Sequence, residues 1–273
     1  MSESRFRAVK AYENGSFLQS PDARALRILS EYLEPETRFD ELRIRDTIVF
    51  FGSARILPRD VAETQLSTLE REGGNVEEAK MRLEMSRYYE EARELARRLT
   101  QWSKGLSGTE RRFVVCSGGG PGIMEAANRG ASEARGENIG LNISLPFEQS
   151  ENTYITRRLA FEFHYFFMRK FWFAYLAKAM VIMPGGYGTL DEFMEIVTLV
   201  QTRKITKPMP IVLYGTPYWD EVLHLEPMLR HGMINAEDLN LFYRTDSVDE
   251  AYAYLTRELE VHALGRPGGG MKA

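Results

Sequence analysis

From about residue 46 onward, short apolar runs alternate with longer stretches in which apolar residues recur every three or four positions. The runs are TIVFFGS (47–53), RFVVCSGG (112–119), NIGLNISLP (138–146), AMVIMPGG (179–186) and MPIVLYG (209–215). Each is short, apolar and rich in β-branched or aromatic residues, as expected of a strand buried on both faces of a parallel sheet. The clearest helical stripe precedes the second run. Met81, Met85, Tyr88, Ala92, Leu95, Leu99 and Trp102 fall on one face, with Glu and Arg filling the rest, which predicts a single amphipathic helix. FEFHYFFMRKFWFAYLAKA (161–179) is apolar nearly all round and predicts a buried helix, interrupted by the adjacent charges Arg169 and Lys170.

Strands alternating with helices on this scale predict an α/β fold, a doubly wound, Rossmann-like parallel sheet flanked by helices. In such sheets ligands bind beyond the carboxyl ends of the strands, where glycine turns close most of these runs. Residues 1–45 are polar and mixed, with the helical fragment DARALRILSEYLE, and are expected to form an N-terminal extension packed on a single domain spanning 46–262. The glycine-rich stretch 263–273 is expected to be a disordered tail.

Composition narrows the function. A chain of 273 residues, 44% hydrophobic, can bury a full core. Its 35 basic and 39 acidic residues nearly cancel, so no nucleic-acid or membrane surface is expected. Cys116 is the only cysteine, which excludes an internal disulfide and fits a reducing compartment. The start MSESRFRAVK lacks the apolar core of a signal peptide, and no apolar run is long enough to span a bilayer. A cytoplasmic protein is the expectation. The four histidines show no metal-ligand spacing, and neither a P-loop nor a G-x-S-x-G elbow occurs. Cys116, at the end of a strand, reads as an inert buried thiol.

Three glycine turns carry the candidate chemistry. In FFGSAR, Gly52 turns the chain and Ser53 offers a hydroxyl and an N–H to an anion, although a plain turn explains the same residues. In CSGGGPGIMEAAN, Gly118, Gly119 and Gly120 precede Pro121, which suits the first position of a helix whose free N–H groups hold a phosphate or a ribose edge. A tight strand–helix turn accounts for that run equally well. In MPGGYGTLDEF, Thr189 and Glu192 have the spacing of a capping box at a helix start. Capping does not explain Gly185, Gly186 and Gly188, which cost entropy and make sense where backbone must approach a phosphate closely. Arg169 and Lys170, on an apolar helix, need partners: either one side chain reaches solvent while the other pairs with a carboxylate, or a substrate phosphate or catalytic carboxylate lies nearby, and the second reading is favoured.

The combination of an Arg-Lys pair followed by P-G-G-x-G-T-x-x-E resembles the Lonely Guy (LOG) family, whose members are often labelled lysine decarboxylases. Here the pair is Arg169-Lys170 and the loop is Pro184 to Glu192, and the resemblance extends over roughly residues 46 to 230. YFFMRK stands where many plant-type members have Met-His-Glu before the pair, and the N-terminal extension is long, so the chain looks like a bacterial long-form branch. The resemblance implies a nucleoside 5'-monophosphate phosphoribohydrolase, similar to an AMP nucleosidase, that releases free base and ribose 5-phosphate. It implies Arg169 and Glu192 as the catalytic pair. Gly52, Ser53, Gly119, Gly120, Glu148, Lys170, Gly185, Gly186, Tyr187, Gly188, Thr189 and Thr198 are the implied substrate-binding positions. No metal or organic cofactor is implied, and a homodimer or higher homo-oligomer is. The competing reading is a non-catalytic nucleotide sensor or carrier of the same fold. A pyridoxal-phosphate decarboxylase would need a Schiff-base lysine and a ring-nitrogen partner, and neither is evident.

Overall fold

The structure is a computed structural model that describes residues 8–145 and 152–265. The strands are β1 (Thr47–Phe51), β2 (Val114–Ser117), β3 (Asn138–Ile143), β4 (Ala160–Phe163), β5 (Ala177–Ile182), β6 (Ile211–Tyr214) and β7 (Tyr243–Thr245). Among the described residues they form one seven-stranded sheet in the order β4-β3-β2-β1-β5-β6-β7, and every pairing between them is parallel. The fold is therefore the α/β, doubly wound, Rossmann-like arrangement that the sequence predicts.

The sheet is buried on both sides, and the period of two along each strand divides it into two cores. Val49, Phe51, Met180 and Ile182 face one core; Ile48, Phe50, Ala179 and Val181 face the other. The first core is covered by α2 (Arg24–Glu41), α7 (Phe166–Leu176) and α8 (Tyr187–Gln201). The second is covered by α5 (Arg87–Lys104), α6 (Ile123–Glu133) and α11 (Val248–His262). The remaining helices are α1 (Gly15–Gln19), α3 (Arg59–Glu72), α4 (Val76–Met85), α9 (Thr216–Val222) and α10 (Glu226–Arg230).

The N-terminal helix α2 seats on α7 through aromatic contacts. Trp172 lies 5.3 Å from Phe39 and 5.7 Å from Tyr32 between ring centroids, and its indole N–H donates to the Glu31 carbonyl at 3.0 Å. The Glu31 carboxylate accepts the backbone N–H groups of His164 and Tyr165, fixing the turn into α7.

Several elements differ from those the sequence predicts. The apolar stretch from residue 161 is not one helix: Phe161 and Phe163 point into the core from β4, and the helix starts only at Phe166. Nor is all of that helix buried, since Phe166 and Phe167 are 52% and 54% exposed. The stripe from Met81 to Trp102 is divided between α4 and α5, which meet at the buried Ser86, whose hydroxyl donates to the Leu83 carbonyl. Met81 is 67% exposed and takes no part in the core. Strands β4 and β7 have no counterpart among the predicted runs. Most of the stretch expected to be a disordered tail, from residue 266 on, lies outside the described residues.

Candidate functional site

The sheet starts at the central strand β1, winds outward to β4, then crosses back to β5 on the other side of β1. This reversal opens a crevice beyond the carboxyl ends of β1 and β5, as the geometry of doubly wound sheets requires. A cavity of about 620 Å³ lies there. Gly52 and Ser53 from the end of β1 line it, with Gly185, Gly186, Tyr187, Gly188 and Thr189 from the β5–α8 turn, and Arg169 and Glu192 from the flanking helices.

The β5–α8 turn is tied to β1. Met183 donates its N–H to the Phe51 carbonyl at 2.8 Å, and Ser53 donates to the Pro184 carbonyl at 2.9 Å. Gly186 caps α8, so Tyr187, Gly188 and Thr189 form its first turn and their N–H groups have no acceptor within the helix. The capping box expected of Thr189 and Glu192 is therefore not formed. The helix starts three residues earlier than that reading places it, Thr189 is its third residue, and no side chain caps it. Glu192 lies deeper in the helix, 7% exposed and free of capping duty.

The three glycines of this turn have different reasons. A Cβ at Gly185 would overlap the side chain of Thr189, so that position is closed by the protein itself. A Cβ at Gly186 or Gly188 would meet nothing within 4 Å. Both line the cavity, so their missing side chains leave backbone open to whatever occupies it.

Glu192 of α8 is a buried charge and Arg169 of α7 a half-buried one. The Arg169 guanidinium donates through Nε to the Leu141 carbonyl at 2.8 Å and lies 5.1 Å from the Phe173 ring centroid. Burial lowers its pKa and the Glu192 charge opposes that fall. Burial likewise pushes Glu192 up to about 7, against the pull of Lys170 and Arg169. A carboxyl group held near neutrality in a cleft beside a cation has the properties of an acid–base catalyst.

Lys170, next to Arg169 on α7, does not line the cavity. Its ammonium is 2.8 Å from Asp191, 2.7 Å from Glu195 and 3.9 Å from Glu192. Burial works against this charge, but the hydrogen bonds of Asp191 and Glu195 outweigh it and raise its pKa.

The GGGPG turn packs closely rather than lining the cavity. A side chain at Gly118 would collide with Arg169, one at Gly119 with Asn142, and one at Gly122 with the Ser53–Ala54 backbone. Gly119 and Gly120 are buried and outside the cavity lining. Gly122, with a φ of 70°, caps α6, so Pro121 precedes the cap instead of opening the helix. Asn128 ties the turn together: it accepts from the Ser117 hydroxyl at 2.6 Å and donates to Asn138 Oδ1 at 2.9 Å and to the Ile139 carbonyl at 3.1 Å. Cys116 is buried and its thiol is pushed up by desolvation, which suits an inert core residue. Thr198 does not line the cavity; it lies on an adjoining shallow surface with Leu190 and Met194. Glu148 falls outside the described residues.

Sequence reasoning missed Met85, Met124, Phe166 and Tyr218, which also line the cavity. Tyr218 follows the glycine turn after β6, so the rule that ligands gather at strand ends points to its neighbourhood. Met85 ends α4, and its place in the apolar stripe marks it for the core rather than for the cavity. Among the described residues no group of His, Cys, Asp and Glu side chains is arranged to hold a metal, and no helix is long and apolar enough to cross a membrane.

The family described as "Possible lysine decarboxylase" matches residues 124–255. A rice protein (Oryza sativa subsp. japonica) named "Probable cytokinin riboside 5'-monophosphate phosphoribohydrolase LOG4" is 29% identical over 159 residues, 57% of this chain and 67% of the relative. A second rice protein, "Probable cytokinin riboside 5'-monophosphate phosphoribohydrolase LOGL5", is 33% identical over 125 residues, 45% of this chain and 49% of its own. Among solved structures, the molybdenum cofactor carrier protein of Chlamydomonas reinhardtii aligns with a TM-score of 0.47 and 19% identity, over 79% of this chain and 99% of that one.

Proposed function

Because the chain belongs to the Lonely Guy family, we propose that it hydrolyses the N-glycosidic bond of a nucleoside 5'-monophosphate, a purine nucleotide such as AMP, to free base and ribose 5-phosphate. The observation that carries this reading is the convergence of three features in one cavity: the open first turn of α8, the half-buried Arg169 and a Glu192 held near neutrality.

Each feature has a task in the reaction. The 5'-phosphate sits on the N–H groups of Tyr187, Gly188 and Thr189 and on the Thr189 hydroxyl, where the dipole of α8 favours negative charge. The absent side chains of Gly186 and Gly188 let it approach the backbone. The ribose then lies along the first turns of α8, with C1' beside Glu192. As the C1'–N bond breaks, its electron pair leaves with the base and positive charge builds on the ribose. A carboxylate in a cavity of low dielectric stabilises that charge strongly. Water bonds to C1', its proton passes to Glu192 and on to solvent, and the departing base takes up a proton from solvent. The charge of Arg169 keeps a share of Glu192 ionised. Lys170 acts one step back, holding the acidic face of α8 through Asp191 and Glu195. Assembly as a homodimer or higher homo-oligomer in the cytoplasm belongs to the same proposal, and light scattering on the purified protein reads the assembly.

The test is incubation with AMP, GMP, CMP, UMP and isopentenyladenosine monophosphate, measuring the base released by each. AMP or a close purine analogue is expected to be cleaved, and Glu192→Gln is expected to abolish turnover while nucleotide binding persists. Nucleotide binding by the wild type without release of base would replace this reading with that of a carrier or sensor.

A further inference from the structure

Three consecutive residues between β5 and α8 each have a backbone polar group tied to a neighbour. The first two ties, at Met183 and Pro184, run to the end of β1, as any compact strand-end turn would allow. The third is different. The Gly185 carbonyl accepts a hydrogen bond of 2.8 Å from the hydroxyl of Tyr218, a side chain on α9 and 33 residues further along the chain.

That bond falls on the one peptide unit of the turn with a glycine on either side. The peptide between Gly185 and Gly186 can rotate about its flanking bonds at little steric cost. Being planar and trans, it points its carbonyl and its N–H in opposite directions. Turning it over would exchange the Gly186 N–H for the Gly185 carbonyl. Beside an anion the first is attractive and the second repulsive, so a phosphate cradle requires one orientation of this peptide. The Tyr218 hydroxyl engages the carbonyl and thereby selects that orientation.

Tyr218 is itself held firmly. Gly215 precedes α9 in the left-handed region with a φ of 93°, and a Cβ there would stand 2.8 Å from Pro184 Cγ, so α9 starts hard against the turn. The Tyr218 N–H donates to the Gly215 carbonyl at 3.1 Å. Its ring lies edge-on to Trp219, 5.0 Å between centroids, and Trp219 is fully buried with its indole N–H on the Tyr214 carbonyl. Burial raises the pKa of the phenol, so the hydroxyl stays a proton donor around neutral pH.

We propose that Tyr218 is a positioning residue for the phosphate cradle: it locks the Gly185–Gly186 peptide so that the Gly186 N–H joins the open donors of the first turn of α8. This rests on reading the cavity as the site of a nucleoside 5'-monophosphate.

Tyr218→Phe removes the hydroxyl and keeps the ring. Its affinity for ribose 5-phosphate and for adenine, measured by calorimetric titration beside the wild type, tests the assignment. The variant is expected to bind ribose 5-phosphate about three- to tenfold more weakly, the worth of one hydrogen bond, while adenine, which carries no phosphate, binds as before. Equal affinity for ribose 5-phosphate in the two proteins overturns the role of Tyr218 and leaves the phosphate reading standing. Parallel losses for both ligands overturn it too, since they mark a general loosening of the cavity. A wild type that binds no ribose 5-phosphate removes the phosphate reading, and this assignment with it.

Discussion

The guanidinium of Arg169 occupies the space that a side chain at Gly118 would need: a Cβ built there would stand 2.6 Å from Arg169 Nη2. The end of an arginine can move aside, so Gly118→Ala is expected to cost only about 1 kcal/mol of stability. The displaced charge no longer faces Glu192, and kcat is expected to fall by about a hundredfold. Thermal melting and steady-state kinetics on the same preparation check both parts. A folded variant with the wild-type kcat would show that the placement of Arg169 is unimportant.

Gly188 gives the opposite separation of stability from activity. It sits in the first turn of α8 with open space where a Cβ would go. Alanine is the better helix former, so Gly188→Ala is expected to raise stability by up to about 1 kcal/mol. The added methyl group enters the space assigned to the phosphate, and the Kd for ribose 5-phosphate is expected to rise by about tenfold or more. A more stable variant that binds the ligand unchanged would place the phosphate elsewhere.

Glu192 links pH to both rate and stability. With its pKa at about 7, the ionised form needed for catalysis accumulates only toward neutrality. The profile of kcat/KM is therefore expected to rise through about 7 and level off above it. For stability the sign is reversed from that of an ordinary paired carboxylate. The unfolded chain releases this proton near 4.5 and the folded protein holds it to about 7, so the wild type loses stability as pH rises across that window. Glu192→Gln escapes the loss. Its advantage should be absent at about pH 4 and reach up to about 3 kcal/mol at about pH 8, read by urea unfolding.

Lys170 is surrounded by Asp191, Glu192 and Glu195, and its charge is one of the forces that lower the pKa of Glu192. Replacing it with glutamine leaves the three carboxylates to repel one another. The inflection in kcat/KM is expected to move to higher pH by about one unit, with a smaller change in the rate at the plateau. If the inflection stays in place while substrate affinity collapses, Lys170 touches the substrate after all.

The strands buried on both faces, β1, β2, β3, β5 and β6, are legible in the sequence because their apolar runs are too short for helices. β4 is not. Phe161 and Phe163 show the alternation of a half-covered edge strand, but the aromatic residues that follow merge with them into one apparently helical run. β7 is only three residues long and carries no run at all. The break between α4 and α5 is hidden because no glycine or proline marks it and the apolar spacing continues across Ser86. The start of α8 is misplaced for a related reason: Gly188 is a poor helix former, so the chemistry of Thr189 and Glu192 suggests a cap where the helix has already begun. The glycine turns at the strand ends are legible in the sequence, whereas the cavity walls from α4 and α9 belong to segments that only the fold brings near.

Arg169 and Glu192 are linked by the end of α7, the strand β5 and one tight turn. α7 passes into β5 with no loop between them, and all six residues of β5 are buried. This segment has no slack in which a change of length could be absorbed. Removing one residue from β5 would invert the facing of those beyond it and carry Glu192 out of register with Arg169. Substitutions along the strand can be accommodated by repacking, but an insertion or deletion cannot. In a library of single-codon deletions, residues 170–191 should therefore form a continuous stretch of lost activity, while the α3–α4 connection at Gly73 and Gly74 should tolerate the same change.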